Sequence, residues 1–187
     1  MKAYVDCGAF KGSILRQFLR NPAYGPSYKC YAFECNSALF KINYGEGVTV
    51  IHKALWIFDG TVPLYMNLRH PTIEGHSVYR SKITGNLDKD HPVDVPCIDF
   101  SAWLAAEFKP EDEVIVKMNI EGAEYDVLEK CVADGTVALI KELHVQWHAH
   151  KIAIPRTRHD NLVKALAAFP LKLYPGYGHI KCKVPPK

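Results

Sequence analysis

The segment Asp6-Cys7-Gly8-Ala9-Phe10-Lys11-Gly12 sets an acid at the end of a short apolar run, followed by two glycines four positions apart. Glycines so placed let the chain turn sharply and bring its backbone close to a ligand. A helix opening at Ser13 would offer free amide hydrogens to polar or anionic atoms held there. A phosphate loop needs G-x-x-x-x-G-K-[ST], but here the spacing differs and Gly12 is followed by Ser13. The dinucleotide fingerprint needs G-x-G-x-x-G, and position 10 is Phe10. What remains suits a ligand without a pyrophosphate, carrying a charged amino-acid end and a nucleoside. Glu34, closing the second apolar run, falls where a carboxylate can accept both ribose hydroxyls. The plain alternatives are a tight turn for the glycines and a solvated strand end for Glu34.

Elements must hold these residues in place. Apolar patterning predicts strands over 3–7, 28–34, 48–52 (running on towards 56), 62–66, 93–98, 113–119 and 139–147. The 62–66 strand is expected to pair back on its neighbour across the Phe58-Asp59-Gly60-Thr61 turn. Helical spacing runs from Ser13 to Arg20, ended by Asn21-Pro22, and again over 158–169. Asn36 and Asp99 are placed to cap helices over 36–40 and 99–108, and Gly135 closes a helix beginning after Asn119. Residues 171–174 with 180–184 read as a terminal hairpin.

Strand and helix alternating at this spacing imply crossover connections, hence an α/β fold with a mostly parallel sheet, helices on both faces and antiparallel terminal strands. In such a sheet ligands bind beyond the carboxyl ends of the strands, at the switch point beside the first strand. Residues 67–92 contain Pro71, Gly75, Gly85 and Pro92 with little periodicity. They read as a long loop serving as a substrate or lid segment, since long loops in compact domains are usually functional or disordered.

Bulk properties narrow the class. The chain has 187 residues, 48% hydrophobic and 23% charged, which is the size of one domain able to bury a real core. Its formal net charge of +3, without a run of like charges, is too weak to argue for nucleic acid. The six cysteines include no C-x-x-C pair, and most lie in apolar stretches where a thiol acts as a small hydrophobe. A reducing, cytoplasmic setting is expected. No signal-peptide pattern opens the chain and no apolar run approaches membrane-spanning length.

Val5 to Gly12 (VDCGAFKG) resembles motif I of class I S-adenosylmethionine-dependent methyltransferases. Val116 to Glu129 (VKMNIEGAEYDVLE) resembles, more specifically, the K-x-D-x-E-G-x-E signature of FkbM-type methyltransferases. YAFECN (31–36), KALW (53–56), DGTVPLYMN (59–67) and VPCIDFSAWL (95–104) fall in that family's order. The resemblance implies a Rossmann-like fold and S-adenosylmethionine as cofactor. It implies that Asp6, Gly8 and the backbone of Ala9, Phe10, Lys11 and Gly12 hold the methionine end, and that Glu34 binds the ribose. Cys35 and Asn36 would border the adenine on one side, with Lys53, Ala54 and Leu55 on the other. Ser77 would correspond to a serine loop closing over the cofactor. Two departures stand out: Asn119 replaces the family's usual aspartate, and the chain starts at the first strand. Acceptor recognition then falls to the 67–92 loop, the post-strand loops or a partner.

Methyl transfer from an activated sulfonium needs in-line positioning above all, and a hydroxyl acceptor benefits from a base. Candidates beside the methyl end are Lys117, Asn119, Glu121, Glu124, Glu142, His144 and His148. Lys117, Glu121, His144 and His148 are the catalytic choices, and Asn119 and Glu121 also count towards the cofactor site. Each has a plainer reading: helix capping for Glu121 and Glu124, an ion pair with Glu142 for Lys117, and surface or core positions for the histidines. His144, His148 and His150 fall at strand alternation, but that spacing fixes no metal geometry, and no metal is expected. The function expected is O-methylation of a sugar or natural-product hydroxyl, with a small-molecule or glycan acceptor. A ribose 2′-O-methyltransferase acting on RNA and a cofactor-binding scaffold without activity are the alternatives.

Overall fold

A computed structural model of the chain describes residues 1–176. In chain order its elements are β1 (Lys2–Cys7), α1 (Ser13–Arg20), β2 (Lys29–Phe33), β3 (Val48–Ile51), β4 (Ala54–Trp56), β5 (Gly60–Leu64) and β6 (Val93–Asp99). Then follow α2 (Phe100–Glu107), β7 (Glu113–Met118), α3 (Glu124–Ala133), β8 (Ile140–Val145), α4 (Ala149–Ile152), α5 (Arg156–Leu166) and β9 (Lys172–Pro175). The main sheet has the order β3-β2-β1-β7-β8-β9, and every pairing in it is parallel. The order reverses at β1, which has β2 on one side and β7 on the other. A crevice therefore opens beyond the carboxyl ends of β1 and β7.

Near-continuous apolar runs are what strands buried on both faces require. Alternation along β1 sends Tyr4 to one face and Ala3, Val5 and Cys7 to the other, all four fully buried. On the first face Leu15 and Phe18 of α1 cover the sheet, and the Phe18 ring stacks on Tyr4 at 4.0 Å. On the second, Phe100 and Leu104 of α2, Tyr125 and Leu128 of α3, and Leu162 and Leu166 of α5 close the larger core. Each such side chain contributes roughly 1.5–3 kcal/mol by leaving water. Asp99 caps α2 by accepting from the amide of Ala102, and Asn36 opens a single 3₁₀ turn over Ser37–Leu39 by accepting from Ala38.

Two strand expectations and one helix boundary need correction. The 48–56 segment does not run through: β3 belongs to the main sheet, while β4 starts a second sheet of order β4-β6-β5. β5 does not pair back on β4, because β6 lies between them, parallel to β4 and antiparallel to β5. The last described strand, β9, is parallel to β8, and among the described residues the antiparallel strand pair is β5 with β6 in the small sheet. The expected hairpin partner at 180–184 lies outside the described residues. Finally, the helix expected over 158–169 begins two residues earlier, at Arg156.

Residues 67–92 form the expected long connection, with no helix or strand of their own. They are anchored all the same: Ser77 makes an antiparallel bridge to Tyr65, exchanging both backbone hydrogen bonds. Among the described residues no helix is long and apolar enough to cross a membrane, and Cys7, Cys30, Cys35, Cys97 and Cys131 are free thiols.

Candidate active site

The cleft at the switch point is walled by the 8–10 turn, the 34–36 segment after β2, the 53–55 segment, the 73–78 stretch of the long loop and the 119–121 turn after β7. Leaving β1, the chain bends so that the amides of Gly8 and Ala9 both donate to the carbonyl of Phe33. Gly8 has φ of 76°, and a Cβ there would overlap the carbonyl oxygen of Asn119. Only glycine brings these two backbones together. Gly12, also left-handed at φ 71°, packs where a Cβ would sit 2.7 Å from the Tyr44 ring. The Tyr44 hydroxyl in turn donates to the carbonyl of Phe10 at 2.7 Å, bracing the turn from behind.

Glu34 links the two halves of the wall. Its Oε2 accepts the amide of Phe10 and its Oε1 the amide of Asn36, both at 2.8 Å. Burial pushes its carboxyl up, against these two amides and the charge of Lys117. Each oxygen keeps a lone pair for a further donor. Around it Phe33, Leu39, Ala54, Leu55, Leu64 and Ile73 make an apolar slot.

At the far side Lys117 reaches the wall, its ammonium 2.8 Å from Asp6 Oδ1 and donating to the carbonyl of Gly8 at 2.8 Å. Burial raises the Asp6 carboxyl, while Lys117 opposes that shift. Glu121 stands in a left-handed turn at φ 55°. Burial would push its carboxyl up, yet His148, Lys82 and Lys151 together hold it below the usual range. Its Oε2 lies 2.9 Å from Lys82 and 3.4 Å from Lys151, and its Oε1 lies 3.5 Å from Nε2 of His148. Nδ1 of His148 meets Glu124 Oε1 at 2.8 Å. Glu124, fully buried, also accepts the amides of Ile120 and Gly122 and so shapes the turn that presents Glu121.

The expected site residues fall into two groups. Gly8, Ala9, Phe10, Glu34, Cys35, Asn36, Lys53, Ala54, Leu55, Ser77, Lys117, Asn119 and Glu121 all line this cleft. Asp6, Lys11, Gly12, His144 and His148 do not. Asp6 is sealed beneath the turn against Lys117, Lys11 is exposed with its ammonium over the Phe10 ring, and Gly12 packs behind on Tyr44. His148 stands between Glu121 and Glu124, behind the wall of the cleft. His144 stacks on Tyr174 at 4.6 Å and lines a separate cavity with Glu142 and Lys172. The three histidines do not share a face, because β8 ends at Val145 and His150 rides on α4. The expected Lys117–Glu142 pair is replaced: Lys117 binds Asp6, its register partner on β1, and Glu142 binds Lys172. Among the described residues no group of three or more His, Cys, Asp or Glu side chains could hold a metal ion.

Other wall residues come from the loop. Ser77 donates from Oγ to the carbonyl of Glu121 at 2.8 Å. Asn36 donates to the carbonyl of Pro71 at 2.7 Å and faces Nδ1 of His76 at 3.3 Å, so its side chain serves the loop. Burial, helped by Lys82 and opposed by Glu121, lowers the His76 imidazole below its ordinary range. Sequence reasoning missed His76 and Lys82. A segment without periodicity gives no sign of which polar residues turn inward.

A six-stranded parallel sheet with its ligand crevice at the switch point, a glycine turn after the first strand and a carboxylate after the second is a Rossmann-like methyltransferase fold. The methyltransferase FkbM domain matches residues 6–168, and the chain belongs to the FkbM methyltransferase family. No curated protein and no solved structure matches it.

Proposed function

We propose that this chain binds S-adenosylmethionine in the switch-point cleft and directs its methyl group to a hydroxyl oxygen of a small molecule or glycan. The observation that carries the reading is Glu34: a buried carboxylate with a lone pair left on each oxygen, between the glycine turn and an apolar slot. Those features fit a ribose, an amino-acid end and an adenine respectively. The Oδ1 of Asn119, buried at the end of β7 with no hydrogen-bond partner among the described residues, adds an acceptor for an ammonium at the turn end.

When bound, the cofactor supplies a methyl group already activated on a sulfonium. The chain's own work is to orient the acceptor and receive its proton. Glu121 fills that role best, since it reaches the wall and its Oε1 is not held by either lysine. A hydroxyl becomes strongly acidic as its oxygen is alkylated, so a carboxylate kept below its usual range remains basic enough. His148, backed by Glu124, holds Glu121 from behind and is a positioning residue. Calorimetry with S-adenosylmethionine, followed by labelled methyl transfer over hydroxylated small molecules, glycans and RNA, tests the reading. Incorporation into a hydroxyl is expected, whereas absence of any binding heat would remove the donor site.

A further inference from the structure

Lysine is rarely buried without a partner, yet Lys82 of the long loop is only 1% exposed. Its ammonium donates to the carbonyl of Gly75 and lies 2.9 Å from Oε2 of Glu121. Gly75 sits within the 73–78 stretch that roofs the cleft, and Glu121 belongs to the turn after β7. One buried cation thus joins two walls that no strand pairing joins. Two further ties lie alongside: Ser77 Oγ to the Glu121 carbonyl at 2.8 Å, and the Ile83 amide to the Lys151 carbonyl at 2.9 Å. Those ties are neutral. Lys82 ties the roof to the charge of Glu121 by an ion pair, because an ammonium out of water is costly unless a carboxylate faces it.

We propose that Lys82 is a positioning residue of the methyl-transfer site, bridging the Gly75 carbonyl and the Glu121 carboxylate so that roof and proton acceptor are set together. This rests on the reading of Glu121 given above. With Oε2 engaged by Lys82 and His148 Nε2 behind Oε1 at 3.5 Å, the second lone pair of Oε1 is left for the acceptor hydroxyl. The charged and titratable groups facing Glu121 are Lys82 and His76 from the roof, Lys151 from α4, and His148 just ahead of α4. Lys82 is the most deeply buried of the two lysines, so its removal leaves burial to act on Glu121 with less opposition.

The test compares Lys82→Met and Lys82→Arg with the wild type by three readouts. Carbon NMR follows the Glu121 carboxyl titration, limited proteolysis follows residues 67–92, and calorimetry follows S-adenosylhomocysteine. In Lys82→Met the Glu121 titration moves to higher pH, cleavage speeds at least tenfold and affinity falls at least tenfold; Lys82→Arg stays near wild type in the titration. A folded Lys82→Met with wild-type titration and wild-type cleavage overturns the proposal. Should Lys82→Met not fold, Glu121→Gln and the double variant Lys82→Met/Glu121→Gln decide it. Removing both charges should slow cleavage relative to Glu121→Gln alone, and equal cleavage overturns the coupling. If the wild type itself binds no S-adenosylhomocysteine, the donor reading fails, and titration and cleavage still judge Lys82.

Discussion

The ammonium of Lys117 lies 2.8 Å from Oδ1 of Asp6, its direct register partner on the neighbouring parallel strand. Both side chains are almost wholly out of water, and the same ammonium donates to the carbonyl of Gly8. The pair therefore sets the floor of the glycine turn. Removing one partner strands the other charge, so Lys117→Met or Asp6→Asn should each cost about 3–5 kcal/mol. The double variant, which leaves no orphan charge, should recover much of that loss. Urea denaturation of the three variants measures it, and additive losses would deny the coupling.

Glu34 predicts a separable defect. Glu34→Ala removes two acceptors for ligand hydroxyls together with the anchors of the Phe10 and Asn36 amides. A hydrogen bond to a charged group is worth about 1.5–3 kcal/mol, so affinity for S-adenosylhomocysteine should fall at least tenfold. Far-UV circular dichroism should stay unchanged, since the Glu34 side chain anchors two loop amides and no hydrogen bond of a helix or strand. Unaltered affinity in calorimetry would refute the ribose role.

Gly8→Ala tests the turn itself. A Cβ at this left-handed position meets the Asn119 carbonyl, and neither backbone can yield without breaking the β1–β7 ladder. Left-handed strain alone costs about 1–3 kcal/mol. Thermal unfolding should shift downward by several degrees and donor binding should disappear.

Glu121→Gln should slow methyl transfer at saturating donor about 10²–10⁴-fold, the usual worth of a positioned base, over and above the loss of donor affinity it shares with Lys82→Met. A single-turnover assay with an accepted hydroxyl substrate checks it.

Acid should release the roof in a definite window. Glu121 is held below its ordinary value of 4.5, so the ion pair stabilises the fold fully above that value and is lost as pH falls through the depressed one. Asp6 and Glu34 are raised and act oppositely: their share of stability falls as pH climbs through their raised values. Faster cleavage within 67–92 below pH 4.5 is therefore the signature of Glu121, and it should vanish in Glu121→Gln.

Local pattern alone determined a good deal of this protein. Continuous apolar runs placed the parallel strands, Asp99 and Asn36 announced their caps, and the 5–12 and 116–129 segments pointed to the cleft and the family. These are signals of neighbours in sequence, where backbone sterics and hydrogen bonding act at short range. The tertiary structure decided what depends on strand order. β6 inserted between β4 and β5 because a distant strand outcompeted the adjacent one, which no local pattern records. Lys117 pairs with Asp6 and not Glu142 because the register sets Asp6 directly opposite it on β1, whereas Glu142 on β8 stands opposite Ile115. His144, in register with Lys117, shares its face of the sheet but sits one strand farther from β1, against Tyr174 and outside the cleft. Lys82 was indistinguishable from any loop lysine until folding set it between Gly75 and Glu121, since burial belongs to the packed whole and not to a residue or its neighbours in sequence.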